Sequence, residues 1–402
     1  MSSTWANLSP RITSRSIPVN GLDVHILECV PSPKYNRKDR TPLVLLLHGF
    51  PELAYSWRKT IVPLADAGYK VVAPDQRGYG RTVPRGKQDG DGQVQFTDDI
   101  SPYRILNLVN DTVTLVQALG YTSVAAVVGH DFGAVVAGFC ALVRPDMFTS
   151  LVLMSHPFSG LPLPSPSPFP SPSPSRPPPL GDADTSPQST QDRDLAALDP
   201  PRKHYTQYYT TANANTDMSY PLCGLKSFLR TYYHVKGGNS PDPAPYRLPS
   251  GAARDLAVMP HYYIMPLHAS MPAAISYGTP SSKASTSWLS DAELDVYVSE
   301  YARTGFQGGL NWYRCVRDRG QMSDLRFLVG KKIDVPALFV AGKLDWGVYK
   351  NAGELKAMRD LCVKMGEEDI ILVNGAGHWV QQENEEAVIK ALLGFLSKQI
   401  RS

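Results

Sequence analysis

Short apolar runs recur along the chain, bounded by turn residues: Leu43 to His48, Lys70 to Pro74, Ser123 to Val128, Leu151 to His156, Ala337 to Gly342 and Ile370 to Gly375. Each is apolar at successive positions rather than at alternate ones, which is how a strand buried on both faces reads. Between them lie segments with helical spacing, among them Tyr103 to Leu119 and Gly133 to Arg144. Strand and helix in alternation predict an α/β chain with a mostly parallel sheet covered by helices on both faces. Ahead of these runs, Asn20-Gly21 separates two extended stretches within Ser14 to Cys29, a hairpin signal that belongs on a sheet edge.

The alternation stops between about Pro157 and Val329. Strand-like runs vanish there and aromatic, helix-like stretches replace them, including Trp288 to Ala302, opened by the capping box Ser290-x-x-Glu293. The pattern predicts a core made of residues 1–157 and 331–402, with an inserted, mainly helical lid over residues 158–330. The insertion begins with a proline- and serine-rich tract, Leu161 to Leu180. Proline lacks the amide donor and fixes φ, so this tract cannot hold helix or central strand. It is expected to be a disordered excursion reaching to about residue 190.

Composition narrows the function more than the fold. With 402 residues, 43% hydrophobic and 19% charged, the chain is globular, and its net charge of +3 does not point to a nucleic-acid surface. The basic run Asn36 to Arg40 reads as a solvated loop. Five cysteines, Cys29, Cys140, Cys223, Cys315 and Cys362, are scattered without metal-ligand spacing, which suits unpaired thiols in a reducing compartment. The opening residues carry no apolar leader, and the apolar stretch Gly133 to Val143 is too short to cross a bilayer. A soluble, cytoplasmic protein without metal or organic cofactor is expected.

The chemistry concentrates at the ends of the predicted strands. Gly129-His130-Asp131-Phe132-Gly133 has the small-x-nucleophile-x-small pattern of a sharp strand-to-helix turn, with an aspartate where serine is usual. Asp345 and His378 each follow a later apolar run, so Asp131, Asp345 and His378 come in the chain order nucleophile, acid, histidine. After the first strong strand comes His48-Gly49-Phe50-Pro51-Glu52. Its glycine frees a loop, and the backbone N–H groups of Phe50 and Phe132 can together form an oxyanion hole. His48 reads as a buried, hydrogen-bonded turn residue. Glu52 either holds a hydrolytic water beside His378 or caps a helix.

These motifs, together with Asp75 to Gly80 and Gly377-His378-Trp379, resemble the soluble epoxide hydrolases of the α/β-hydrolase superfamily. The resemblance extends into the insertion, where Lys203 to Tyr209 and Thr304 to Arg314 look like that family's two lid-tyrosine motifs. It implies the α/β-hydrolase fold with a lid, and Tyr205 and Tyr313 as lid proton donors. Tyr208 and Tyr209 lie close enough to Tyr205 that a shift of one turn stays open. It implies as well that Asp131 attacks the epoxide, that His378 is the base for hydrolysing the resulting ester, and that Asp345 orients His378. The partners would be a small apolar epoxide and water; a homo-oligomer stays open.

Elementary chemistry agrees with that implication. A carboxylate, with an ordinary pKa of about 4, is ionised at neutral pH and needs no base to attack a saturated carbon. The alkoxide it would release is strongly basic, and tyrosine, with a pKa of about 10, can protonate it. Two other readings compete. One is a haloalkane dehalogenase-like hydrolase, which wants an indole N–H at the place of Phe132, where phenylalanine has no donor. The other is a non-catalytic ligand receptor on the same fold. The segment Met259 to Pro272 is expected to line an apolar entry or simply to fill the lid.

Overall fold

The computed structural model describes residues 5–32, 41–87, 93–161, 187–240, 242–277, 287–318, 320, 322–350 and 353–399. The basic run at 36–40 and nearly all of the proline- and serine-rich tract lie outside the described residues. The expected excursion to about residue 190 ends sooner: a helix, α4 (Pro187–Ala196), begins at Pro187. Proline is tolerated in a first helical turn, where its missing N–H has no partner to lose.

Among the described residues nine strands form one sheet: β1 (Thr13–Val19), β2 (Leu22–Cys29), β3 (Leu43–Leu47), β4 (Lys70–Pro74), β5 (Val83–Pro84), β6 (Ala126–His130), β7 (Leu151–Met154), β10 (Ala337–Gly342) and β11 (Ile370–Val373). β8 (Arg202–His204) and β9 (Ile264–Pro266) pair separately in the inserted segment. The order is β1-β2-β4-β3-β6-β7-β10-β11, with β5 on β2. From β4 to β11 every neighbour is parallel, and β1 and β2 close one edge as the antiparallel hairpin expected at Asn20-Gly21. Both turn residues have positive φ, 45° and 75°, the backbone that a tight hairpin matched to strand twist demands.

The predicted strands are present with shifted ends. β6 starts at Ala126 rather than Ser123 and continues through His130. Val124 makes only an isolated bridge to Phe148, while Gly129 and His130 pair with β7. A buried histidine therefore extends a run that hydropathy alone would end.

Helices α1 (Arg58–Asp66), α2 (Ile105–Ala118), α3 (Phe132–Val143), α12 (Glu354–Leu361), α13 (Val380–Glu383) and α14 (Glu385–Gln399) belong to the sheet layer. α2 packs on α3 and α1 on α14. With β3, β6, β7 and β10 buried at every position, both faces of the sheet are covered, as continuous apolar runs require.

Between β7 and β10 the chain runs through α4 (Pro187–Ala196), α5 (Tyr205–Tyr209), α6 (Ala214–Ser219), α7 (Leu225–Val235), α8 (Ala253–Leu256), α9 (Met271–Ile275), α10 (Asp291–Thr304) and α11 (Gln307–Arg317). The capping box at Ser290 and Glu293 opens α10. These helices grip the loops that follow β3 and β4. Arg58 donates to Glu293 at 2.9 Å and to Gln382 at 2.7 Å, Tyr301 Oη donates to the Glu52 carbonyl at 3.1 Å, and Trp312 Nε1 donates to the Arg77 carbonyl at 3.0 Å.

The tightest of these contacts is backbone on backbone. A methyl group on Gly308 would lie 2.1 Å from the Gly78 carbonyl oxygen, so α11 can approach the β4 loop only without a side chain there. Gly308→Ala is therefore expected to destabilise by about 1–3 kcal/mol in urea unfolding. Because α11 carries Tyr313, turnover should fall with it. Gly394→Ala, in α14 with open space around the site, should be neutral or stabilising by up to about 1 kcal/mol. Equal effects of the two changes would refute the contact argument.

Candidate active site

All three strand-end titratable residues meet at the carboxyl ends of the parallel strands, where open α/β sheets place their sites. Asp131 follows β6 with φ 52° and ψ −121°, an unfavourable backbone for a residue with a side chain. Neighbouring glycines make the turn fit. A methyl on Gly133 would meet the Leu47 and His48 carbonyls at 2.4 and 2.5 Å, one on Gly129 the Gly133 carbonyl at 2.1 Å, and one on Gly49 the Asp131 Cβ at 2.4 Å.

The turn lifts the carboxylate into the site, its side chain 13% exposed where those of His378 and Asp345 are 2% and 1%. Oδ1 accepts from the Phe50 N–H at 2.9 Å. The Phe132 N–H, the other expected oxyanion donor, opens α3, where a helix leaves its first amides without an intrahelical acceptor. His378 Nδ1 lies 2.9 Å from Asp345 Oδ2, and the Gly347 N–H donates to Asp345 Oδ1 at 2.7 Å. The carboxylate can only accept, so Nδ1 carries the proton and Nε2 turns its lone pair into the site. Nε2 is 3.3 Å from Asp131 Oδ2 without a well-aligned hydrogen bond and has no other partner among the described residues. It is free to take a proton from a water.

Burial alone would raise the Asp131 carboxyl, but His378, Lys236 and His130 outweigh it and hold the group well below the usual carboxylate range. For Asp345, burial is likewise outweighed by His378, with Lys236 and the Gly347 N–H adding to it. Both groups are anions at neutral pH.

Opposite Asp131 stand aromatics of the inserted segment. The Tyr313 ring packs edge-on against Phe50 and Phe132 at 5.6 and 5.2 Å between centroids, and 6.1 Å from Tyr205. Neither the Tyr205 nor the Tyr313 hydroxyl has a hydrogen-bond partner among the described residues. The neighbours differ: Tyr208 donates to Asp217 at 3.0 Å, and the Tyr209 hydroxyl is bonded to that of Tyr232 at 2.9 Å. Of the three, only the Tyr205 hydroxyl is left unengaged. Burial raises both candidates, Tyr313 well above the ordinary phenol value and Tyr205 less, because Lys350 partly offsets it. Both keep their protons at neutral pH.

Glu52 departs from both expectations. Its carboxylate is fully buried; Oε2 takes His130 Nδ1 at 2.5 Å and the Gly49 N–H at 3.1 Å, and Oε1 takes Gln381 Nε2 at 2.8 Å. It has no oxygen left over for a water beside His378. It acts instead through His130, whose Nε2 reaches the His378 carbonyl at 2.7 Å. Both His130 nitrogens face acceptors, so the doubly protonated ring satisfies both. Burial pushes His130 down, but Glu52 outweighs it and raises the group; Glu52 in turn is lowered against its own burial by His130. His48 is the buried turn residue expected, its Nε2 accepting from Gln76 N–H at 3.0 Å and its Nδ1 bonded to the Gly49 carbonyl at 2.9 Å.

Several residues that bear on the site were not singled out from the sequence. Ser155 Oγ donates to the His378 carbonyl at 2.9 Å. Glu383, in α13, accepts from the N–H groups of Gly377, Trp379 and Gly238, bracketing His378 on both sides. Lys236, one residue past α7, accepts the His378 N–H on its carbonyl at 2.8 Å. The sequence signal for Lys236 is misleading, since a lysine at a helix C-terminus reads as a solvated partner of the helix dipole. From Met259 to Pro272, Met259, Met265 and Met271 are buried within the inserted segment, and Tyr263 packs on Tyr205 at 5.4 Å. All five cysteines are unpaired, and no helix among the described residues is long and apolar enough to cross a membrane.

A family model described as the alpha/beta hydrolase fold matches residues 42–385. Epoxide hydrolase A of Mycobacterium tuberculosis is 34% identical over 393 residues, covering 96% of this chain and 97% of that protein. Among solved structures, an epoxide hydrolase from an endophytic Streptomyces superposes with a TM-score of 0.73 at 28% identity, covering 98% of each chain. Epoxide hydrolase A from Mycobacterium thermoresistibile gives 0.69 at 32% identity, covering 96% of this chain and 98% of that one.

The Glu52–His130 pair has a pH signature. The lowered Glu52 contributes stability above its unfolded pKa of about 4.3, and loses it as pH falls through the folded value. The raised His130 contributes fully below about 6.5, and loses it as pH rises through its folded value. Glu52→Gln is expected to cost about 3–5 kcal/mol, with the melting-temperature gap to the native protein widest between those two pH values. A gap independent of pH would contradict the ion pair.

Proposed function

The chain belongs to the epoxide hydrolases of the α/β-hydrolase fold family, and from that premise we propose that it converts an epoxide and water to a vicinal diol through an alkyl ester on Asp131. The observation that carries the reading is an ionised Asp131 facing two lid phenols, Tyr205 and Tyr313, whose hydroxyls are left unengaged. In the first step an Asp131 oxygen bonds to an epoxide carbon, the carbon–oxygen bond of the ring breaks, and a lid tyrosine gives its proton to the leaving oxygen.

In the second step His378 removes a proton from water, and the resulting hydroxide attacks the ester carbonyl of Asp131. The negative oxygen formed there is met by the N–H groups of Phe50 and Phe132; losing one such donor typically costs about 10²–10³ in rate. Collapse expels the diol oxygen, which takes the proton from His378. The carboxylic acid proton left on Asp131 returns to the tyrosinate, and the site is restored. Residues 158–330 act as the lid that brings the phenols over the carboxylate.

The halide reading lacks its donor. The Phe132 side chain has no N–H, and the indole N–H groups nearest the site are engaged by backbone carbonyls: Trp312 by Arg77 and Trp379 by Tyr233. An epoxide oxygen needs an acid rather than an indole, and the lid supplies one.

Tyr205→Phe and Tyr313→Phe should each slow ester formation, by about 10²-fold or more, and the double change should nearly abolish it. Tyr208→Phe and Tyr209→Phe should have the smaller effects. A larger defect from either of the latter pair would move the acid by one turn. Separately, His378→Gln leaves attack intact and removes the base for the second step, so the alkylated protein should accumulate and appear in intact-mass spectra after mixing with styrene oxide. In single turnover with heavy-oxygen water, the native enzyme should place the label in the Asp131 peptide and release unlabelled diol. Labelled diol from the first turnover, with no adduct in the variant, would replace the covalent route by direct hydration.

A further inference from the structure

Two cations stand in the wall of this site without a salt bridge to any of the described residues. Lys236 is 6% exposed. Its ammonium lies 5.1 Å from the ring centroid of Trp379 and 5.4 Å from those of Tyr232 and Tyr263. Lys350 approaches the same Tyr263 ring at 5.8 Å. No carboxylate is within ion-pair distance of either ammonium, and neither has a hydrogen-bond acceptor among the described residues. Aromatic faces attract a cation but offer no lone pair to its N–H groups. A desolvated ammonium with its donors unused is a costly thing to keep.

The position of the pair says what the donors are for. Trp379, the nearest wall of the Lys236 cage, packs against the His378 ring at 4.7 Å, and Tyr263 packs against Tyr205 at 5.4 Å. The two ammoniums therefore flank the space between the base and the first lid phenol. Asp131 and Asp345 feel both of them, yet neither is close enough to satisfy them. Glu354 bears on Lys350 and Glu52 on Lys236 as well, and at the ester stage the charge that leaves Asp131 passes to a tyrosinate, so it is the unused N–H donors rather than a missing charge that call for a ligand.

We propose that Lys236 and Lys350 form an anion subsite beside the reacting carboxylate, and that the preferred substrates are epoxides bearing a carboxylate a few bonds from the ring. The proposal rests on the epoxide-hydrolase reading of the same site. It departs from a purely apolar epoxide, the substrate that the aromatic lining alone suggests. The carboxylate would sit between the two ammoniums against the Tyr263 ring, accepting charge-assisted hydrogen bonds while the epoxide oxygen meets Tyr205 and Tyr313.

Matched probes decide the matter: phenylglycidate against phenylglycidamide, which differ only in charge at one end, with styrene oxide as the neutral reference. The native enzyme should favour the glycidate over the amide by about tenfold or more in kcat/KM, expressed in KM, as a charge-assisted contact would give. Lys236→Met should bring that ratio close to one, Lys350→Met should reduce it, and Lys236→Arg should retain most of it. Should the methionine variants not fold, cinnamate and cinnamamide test the native protein as competitors of styrene oxide turnover, and cinnamate should bind the more tightly. A native preference for the amide, equal binding of the two competitors, or a ratio that survives both methionine changes would overturn the subsite. Inertness toward styrene oxide and both glycidyl probes would overturn the epoxide-hydrolase reading beneath it.

Discussion

The backbone at Asp131 is the constraint on which the rest of the site depends. A side-chain-bearing residue at φ 52° and ψ −121° is strained, and it persists only because its surroundings leave it no alternative. β6 fixes the chain on one side, paired with both β3 and β7. α3 fixes it on the other, resting through Gly133 on the carbonyls of Leu47 and His48. The strain holds the carboxylate out of the sheet and brings it to the Phe50 N–H.

A second layer of control is electrostatic. The chain buries an unusual number of charges around one point: Glu52 with His130, Asp345 with His378, and Asp131 facing Lys236. Buried ions contribute little net stability, since desolvation consumes most of their attraction. Their effect here is on geometry and protonation. Glu52 and Gln381 hold His130, His130 and Ser155 hold the His378 carbonyl, and Asp345 sets the tautomer that turns Nε2 toward the site. The base is fixed through both its backbone and its ring.

The alternation of strand and helix, the edge hairpin, the capping box at Ser290 and the chain order of Asp131, Asp345 and His378 were all legible from residue patterns, because each depends on neighbours close in the chain. Errors fell at the ends of elements. Ser123 was taken into a strand that begins at Ala126, and His130 was left outside one that includes it. Hydropathy reports burial of apolar residues, and it has no way to register a polar residue buried because another segment supplies its partners.

Those limits divide the site in the same way. By itself the sequence determined the alternating strands and helices of the sheet and singled out Asp131, Asp345 and His378, each by a local motif at a strand end, while Tyr313 followed from the likeness of its motif to the family's. Only the tertiary structure decided that Tyr205 rather than Tyr208 or Tyr209 has the unengaged hydroxyl, because Asp217 and Tyr232, which occupy the other two, come from different helices. Only it moved Glu52 from the water to His130 across 78 residues of chain. And only it turned Lys236 from a helix-terminal surface lysine into a caged cation, because the three rings around it come from α7 itself, from the segment before β9 and from the loop carrying His378. Partners distant in sequence set charge and hydrogen bonding at short range in space, and no local pattern encodes that.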